Sequence, residues 1–280
     1  MTFKIAALLV TGMLISVPAQ CQLVEQYNPP QSNCCLAMAA RGLADQLLDW
    51  NQIGRYRAEN LELKKHPSDS KRVLFMGDSI TDFWRLAESF PGKPYVNRGI
   101  SGQTTPQMLV RMYPDVIDLK PAAMVVLAGI NDVSQNTGPA TAEMVEQNIM
   151  AMTELAQHHG IKVILCSILP VSDYPFLNQQ GGRGVQPPAV QGPGRGGQRG
   201  PAMRMKVTDT HPPGDILKLN AWMKDYASRV NAYYADYFTV LADERGWLKE
   251  NFSGDGIHPN AEGYKIMAPI VEAAIQKALP

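Results

Sequence analysis

Four short apolar runs recur along the chain, at Val73 to Met76, Tyr95 to Ile100, Ala122 to Leu127 and Lys162 to Leu169, and each is followed by a segment able to form a helix. Unbroken apolar runs of this length, without polar alternation, are the pattern of strands buried on both faces. Helices between such strands predict a parallel sheet covered on both sides. The clearest helix is TAEMVEQNIMAMTELAQHHG, which Gly160 can end as a C-cap. A later apolar run, YFTVLAD, precedes the closing helix AEGYKIMAPIVEAAIQKALP and continues the alternation. Ahead of the first run, Leu36 to Leu63 reads as one long helical pattern, with Leu43, Leu47, Leu48, Ile53 and Leu61 set among charges.

At 280 residues the chain is long enough to bury a substantial core. Lys+Arg and Asp+Glu are both 26, which leaves no basic field for nucleic acid or an anionic membrane. Residues 1–21 have the build of a secretory signal peptide: Lys4, then an apolar stretch from Ile5 to Val17, then a polar exit. That stretch is shorter than the roughly 20 residues a membrane span needs, so no stable membrane insertion is expected after signal removal. The protein is therefore expected to be secreted or periplasmic. Pro18-Ala19-Gln20 is a poor context for lipidation of Cys21. Cys34 and Cys35 are adjacent and strained for mutual bridging, and Cys166 lies in an apolar run as a small core residue. The cysteines form neither a disulfide framework nor a zinc spacing.

The expected layout is a signal peptide at 1–21, a mobile lead-in at 22–35, and one main domain at 36–280. A Gly/Pro-rich flexible insertion interrupts that domain at about 178–212. Its centre, Gly181 to Pro201, holds 8 Gly, 4 Pro and three arginines, too little apolar surface to offset ordering entropy.

In an open parallel sheet, ligands bind beyond the carboxyl ends of the strands. Gly77-Asp78-Ser79 follows the first run, NRGISGQTT accompanies the second, LAGIND the third, and DGIHPN stands in a loop before the last helix. Together they supply a hydroxyl, a Gly-rich turn, an amide, an acid and a histidine, which is the inventory of acyl transfer. A serine needs a base as it attacks, and His258 has the right intrinsic pKa. That histidine needs an acceptor for its other ring N–H, and Asp255 can fold back from the same loop. Backbone N–H groups of Ser79 and Gly102, with the Asn131 side chain, could bind a developing oxyanion. Asp78 is expected to shape the serine turn, Asp82 to begin the following helix, and Asp132 to act as a structural or capping acid. Thr104 and Thr105 are expected to cap the helix after the second block, and Asn260 the last helix. His66, His158, His159 and His211 lack an acidic partner in such a motif.

The four blocks, in this order, resemble the GDSL/SGNH hydrolase family. FMGDSITDFW places the family serine on Ser79, NRGISGQTT its glycine on Gly102, LAGIND its asparagine on Asn131, and DGIHPN its acid and base on Asp255 and His258. Ile80 stands where the family name has Leu, and the insertion is a larger departure. The resemblance implies a flavodoxin-like three-layer α/β/α sandwich around a central parallel sheet, hydrolysing esters or thioesters; no cofactor is expected, and no metal, because the acids and histidines lack ligand clustering. The blocks look most like those of secreted acetylesterases and platelet-activating-factor acetylhydrolase-like members. The expected function is an exported serine esterase acting on a small-molecule or glycan ester, with acetyl on carbohydrate foremost. The alternatives are a lysophospholipase or thioesterase, and a catalytically silent glycan-binding envelope module.

Overall fold

The computed structural model describes residues 49–65, 71–180 and 206–279. The signal segment, the lead-in, the first part of the Leu36–Leu63 pattern, His66 and the Gly181–Pro201 run lie outside these residues. The described chain runs through α1 (Arg57–Lys65) and β1 (Val73–Gly77), then the short helices α2 (Ser79–Asp82) and α3 (Leu86–Ser89). β2 (Tyr95–Gly99) leads to α4 (Thr105–Val110) and α5 (Met112–Asp115); β3 (Ala123–Leu127) leads to α6 (Ile130–Val133) and α7 (Ala142–His158). β4 (Lys162–Cys166) is followed by α8 (Tyr174–Gln180), α9 (Val207–Thr210) and α10 (Pro213–Arg229). β5 (Tyr233–Ala235), α11 (Tyr237–Leu241) and α12 (Ala261–Ala278) complete it.

All five strands are parallel, in the order β2-β1-β3-β4-β5. The direction of winding reverses between β1 and β3, the place where such sheets open a crevice for ligands. Gly77 pairs with Gly99 on one side and Leu127 on the other, so three carboxyl ends finish side by side. Every residue of β1 and β3 is buried, as two-sided coverage requires. α12 packs on one face with α3 and α11, and α7 on the other with α4 and α10. Residues such as Leu74, Met76 and Met124 are fully buried, where truncation to Ala typically costs about 2–5 kcal/mol. Helix ends follow local chemistry. Thr141 Oγ1 accepts from Met144 N at the start of α7. At its end Gly160 N–H donates to Gln157 O and Ile161 N–H to Ala156 O, the paired bonds of a Schellman cap.

Three expectations are corrected. YFTVLAD does not form a strand; its first five residues are α11, and the last strand is the shorter Tyr233–Ala235 before it. The first-turn amides explain this: Tyr237 N and Phe238 N donate to Ser167 Oγ, and Thr239 N donates to the Asp236 side chain. The Leu36–Leu63 helical pattern is broken, because residues 49–56 are turns. Asp49 accepts there from Ile53 N at 3.0 Å and Gly54 N at 3.2 Å. The insertion range of 178–212 is too wide, since α8 reaches Gln180 and α9 begins at Val207. Asp173 holds α9 in place by accepting from Thr208 N and Thr208 Oγ1.

Candidate active site

Ser79 is the first residue of α2, directly beyond β1. The helix therefore starts at Ser79 and ends at Asp82, which corrects the expectation that Asp82 begins it. Asp78 is the cap, accepting from Ile80 N at 2.9 Å. Gly77 lets α2 lie close, because a Cβ there would stand 2.1 Å from Thr81 Oγ1 and 2.8 Å from Leu127 O. Tyr264 OH, from α12, donates to Ile80 O and fixes the short helix from the other side.

Ser79 Oγ lies 2.8 Å from His258 Nε2, and His258 Nδ1 lies 2.7 Å from Asp255 Oδ2. With Nδ1–H donating to the carboxylate, Nε2 is left to accept from the serine hydroxyl. The acid turns back on its own loop: Asp255 Oδ1 accepts from Ile257 N at 2.9 Å and His258 N at 2.8 Å. Gly256 sits at φ +85°, and a Cβ on it would come within 2.2 Å of Ser172 O. Ser172 N in turn donates to Gly256 O, so the loop is pinned to the segment after β4. Only a glycine meets both demands.

The electrostatics follow from these bonds. Partial burial pushes Asp255 up, but the bonds from the His258 ring and two backbone amides outweigh it and hold the carboxyl well below its usual range. The bond to Asp255 raises His258; burial opposes it, and the charges of Asp255 and Asp78 reinforce it. Burial pushes Asp78 up to about 7 despite the Ile80 amide and the nearby imidazole. Its Oδ2 has no partner among the described residues.

On the other side of Ser79, the loop after β2 carries Gly102 at φ +80°, a left-handed conformation. A Cβ there would meet nothing within 4 Å, so backbone shape and not crowding calls for glycine. Among the described residues neither the Gly102 N–H nor the Ser79 N–H has an acceptor; at this helix start the Asp78 cap takes up Ile80 N and not Ser79 N. Asn131, in α6 beyond β3, donates from Nδ2 to Gln103 O at 2.9 Å, which leaves its second N–H for another oxygen. The structure thus brings Ser79, Asp255 and His258 into one hydrogen-bonded line, and bonds Asn131 to the loop that carries Gly102.

Most supporting residues behave as expected; Thr105 does not cap α4 with Thr104 but is its first residue, because Asp132 takes up its N–H and hydroxyl. Asp132 accepts from Thr105 N and Oγ1, and burial pushes it up to about 6. Thr104 N–H donates to Gln107 Oε1 at 3.0 Å, and Asn260 Oδ1 caps α12 through Glu262 N and Gly263 N. His158 and His159 are exposed at the end of α7, while His211 is buried with Nδ1 against Thr210 Oγ1.

Other residues of the site have no such role assigned from the sequence, where Asp82 is expected only to begin a helix. Asp82 accepts from Ser101 N and Oγ, tying the Gly102 loop to α2. Arg111 donates from Nε to Gln103 Oε1 at 2.6 Å, from Nη2 to Gly77 O at 3.1 Å, and from Nη1 to Asp115 Oδ2 at 3.0 Å. Asp115 also accepts from Asn60 Nδ2, whose Oδ1 accepts from Arg98. A buried polar network therefore underlies both the serine and the glycine loops. The available signal was an Arg and an Asp four apart within the apolar MLVRMYPDVIDL.

Among the described residues no three His, Cys, Asp or Glu side chains group as metal ligands, and no helix is long and apolar enough to cross a membrane.

A sequence model of the GDSL-like lipase/acylhydrolase family matches residues 75–266, which takes in the serine, glycine, asparagine and Asp-His blocks. The chain belongs to this family of ester-hydrolysing enzymes. It is similar to a crystallised GDSL-like lipase from Bacteroides thetaiotaomicron VPI-5482, at 35% identity and a TM-score of 0.66, covering 82% of this chain and 99% of that one. Among curated relatives, the esterase TesA of Pseudomonas aeruginosa is 34% identical over 122 residues, 39% of this chain and 59% of its own length. The uncharacterized lipoprotein YqeF of Bacillus subtilis is 32% identical over 79 residues, 27% of this chain. The chain spans only 32% of the length of YqeF.

Proposed function

We propose that this protein is an exported serine esterase that hydrolyses short-chain acyl esters, foremost acetyl esters on carbohydrate. The observation that carries the reading is the continuous line from Ser79 Oγ through His258 to Asp255, at 2.8 and 2.7 Å. His258 Nε2 takes the hydroxyl proton as Ser79 Oγ attacks the acyl carbonyl carbon. Asp255 keeps the ring in the Nδ1–H tautomer and stabilises the imidazolium. The oxyanion is met by the N–H groups of Ser79 and Gly102 and the free N–H of Asn131. Collapse expels the alcohol, protonated by His258, and leaves an acyl-serine; water, activated by the same imidazole, then releases the acid and restores the serine.

The choice of substrate rests on how the site opens. Phe83 is exposed and its ring lies 5.4 Å from that of His258, which is itself partly exposed. A small acyl group needs no long apolar channel in such a site, and a hydroxyl-rich alcohol remains in water. Export rests on the character of residues 1–21.

A panel of p-nitrophenyl esters of rising chain length, acetylated oligosaccharides and lysophospholipids tests the reading on the mature protein. kcat/KM should be highest for acetyl esters and fall with chain length. A preference for lysophospholipids would make it a lysophospholipase, and no hydrolysis of any ester would leave a silent binding module. Mass spectrometry of the exported protein should find an N-terminus beyond residue 21.

A further inference from the structure

The loop after α6 contains a side chain placed between the two groups assigned to the oxyanion. Asn136 Nδ2 lies 2.9 Å from Asn131 Oδ1 and 3.3 Å from Gly102 O. Both partners can only accept, so this atom must be the nitrogen. The other end agrees, because Ser134 Oγ stands 3.0 Å from Asn136 Oδ1. Asn136 N–H also donates to Asn131 O, which sets the loop's turn. Next to it, Thr137 Oγ1 and Thr104 Oγ1 are 2.9 Å apart, a second link between this loop and the glycine loop.

We infer that Asn136 is a positioning residue for ester hydrolysis: it fixes the amide of Asn131 nitrogen-inward and holds it in register with Gly102. The inference rests on the oxyanion reading above. An asparagine amide can turn over at little intrinsic cost, and in the turned state it would present an oxygen to the oxyanion. Two bonds prevent this in the structure. Gln103 O accepts from Asn131 Nδ2, and Asn136 donates to Asn131 Oδ1; turning the amide would set oxygen against oxygen at the first and nitrogen against nitrogen at the second. Asn136 is exposed and packs no core, so its bonds serve the geometry of its neighbours more than the stability of the fold.

The test is a set of variants assayed with a small acetyl ester, with thermal unfolding as a control. Asn136→Ala removes one neutral hydrogen bond at each partner and should lower kcat roughly 3- to 10-fold with KM little changed. Asn136→Asp presents a carboxylate to two oxygens and should approach Asn131→Ala, a loss of about 10²–10³ in kcat. Asn131→Ala/Asn136→Asp should be no slower than Asn131→Ala alone, because the second residue acts through the first. Affinity for a phenylboronic acid, a tetrahedral analogue, should fall with kcat/KM, while affinity for the acetate product should not. Additive losses in the double variant, an effect on KM alone, or Asn136 variants as active as the parent would overturn the inference. If Asn131→Ala itself keeps full activity, the oxyanion assignment fails and takes the inference with it. If only the Asn136 variants are silent, the assignment stands without it.

Discussion

Arg111–Asp115 and Asp255–His258 are both acid–base pairs on near neighbours in sequence, four and three residues apart, and they occupy opposite environments. The side chains of Arg111 and Asp115 are 0% exposed; those of His258 and Asp255 are 31% and 55% exposed. The buried pair is surrounded by further partners, Gln103, Gly77 O and Asn60, which compensate the cost of removing charge from water. The open pair has its free ring nitrogen aimed at a hydroxyl. A guanidinium does not exchange its proton near neutrality, whereas an imidazole does. The first pair therefore forms the floor of the site, and on the proposed reading the second carries the chemistry above it. On that reading, similar local spacing yields a scaffold in one place and a proton carrier in the other, according to burial and the type of base.

The largest effect should come from His258→Ala. We expect kcat to fall by about 10⁴ or more, with a thermal midpoint close to that of the parent, since a half-open side chain contributes little packing. A large drop in midpoint would erase the distinction between the two pairs. Arg111→Ala should show the reverse: a loss of about 3–5 kcal/mol in urea unfolding from leaving Asp115 buried and uncompensated, with activity per folded molecule reduced far less. Equal losses in both measurements would show that Arg111 belongs to the chemistry.

A smaller effect should appear with pH. His258 is raised by its bond to Asp255, so the neutral base form is lost on acidification at a pH above the ordinary histidine value. The acid limb of kcat/KM should lie above about 6.5, and Asp255→Asn should move it down. Stability has the opposite sign. The pair's contribution is complete below the unfolded histidine pKa and is lost as pH rises through the folded one. Asp255 is held low, so its own contribution is lost only as pH falls well below the unfolded carboxylate value. A limb below the ordinary value would contradict the bond. The smallest change should come from Glu262→Ala, at the exposed Glu262–Lys265 pair, which should alter stability by less than about 0.5 kcal/mol.

The sequence revealed most where burial was simplest. β1 and β3 are buried throughout, so their residues read as unbroken apolar runs, and the blocks at their ends point to the site directly. Tyr237–Leu241 is equally apolar, but a side chain seventy residues away in sequence, Ser167, accepts from its first amides. No local pattern reports such a partner. Gln103, Arg111 and Asn136 escaped for the same reason: their importance lies in bonds across loops and helices, while their residue types are ordinary. The grouping of Ser79, Asp255 and His258 into one hydrogen-bonded line was legible because the chemistry proposed for them fixes the residue type at each position.

The most direct test of the account is the site of reaction with a serine-directed phosphorylating agent. After treatment with diisopropyl fluorophosphate, peptide mass spectrometry should find one adduct, on Ser79, formed in step with loss of esterase activity. The adduct should form far more slowly in His258→Ala, where no imidazole accepts the hydroxyl proton. An adduct on another residue that tracks the loss of activity, or a Ser79→Ala protein that still hydrolyses the ester, would contradict it.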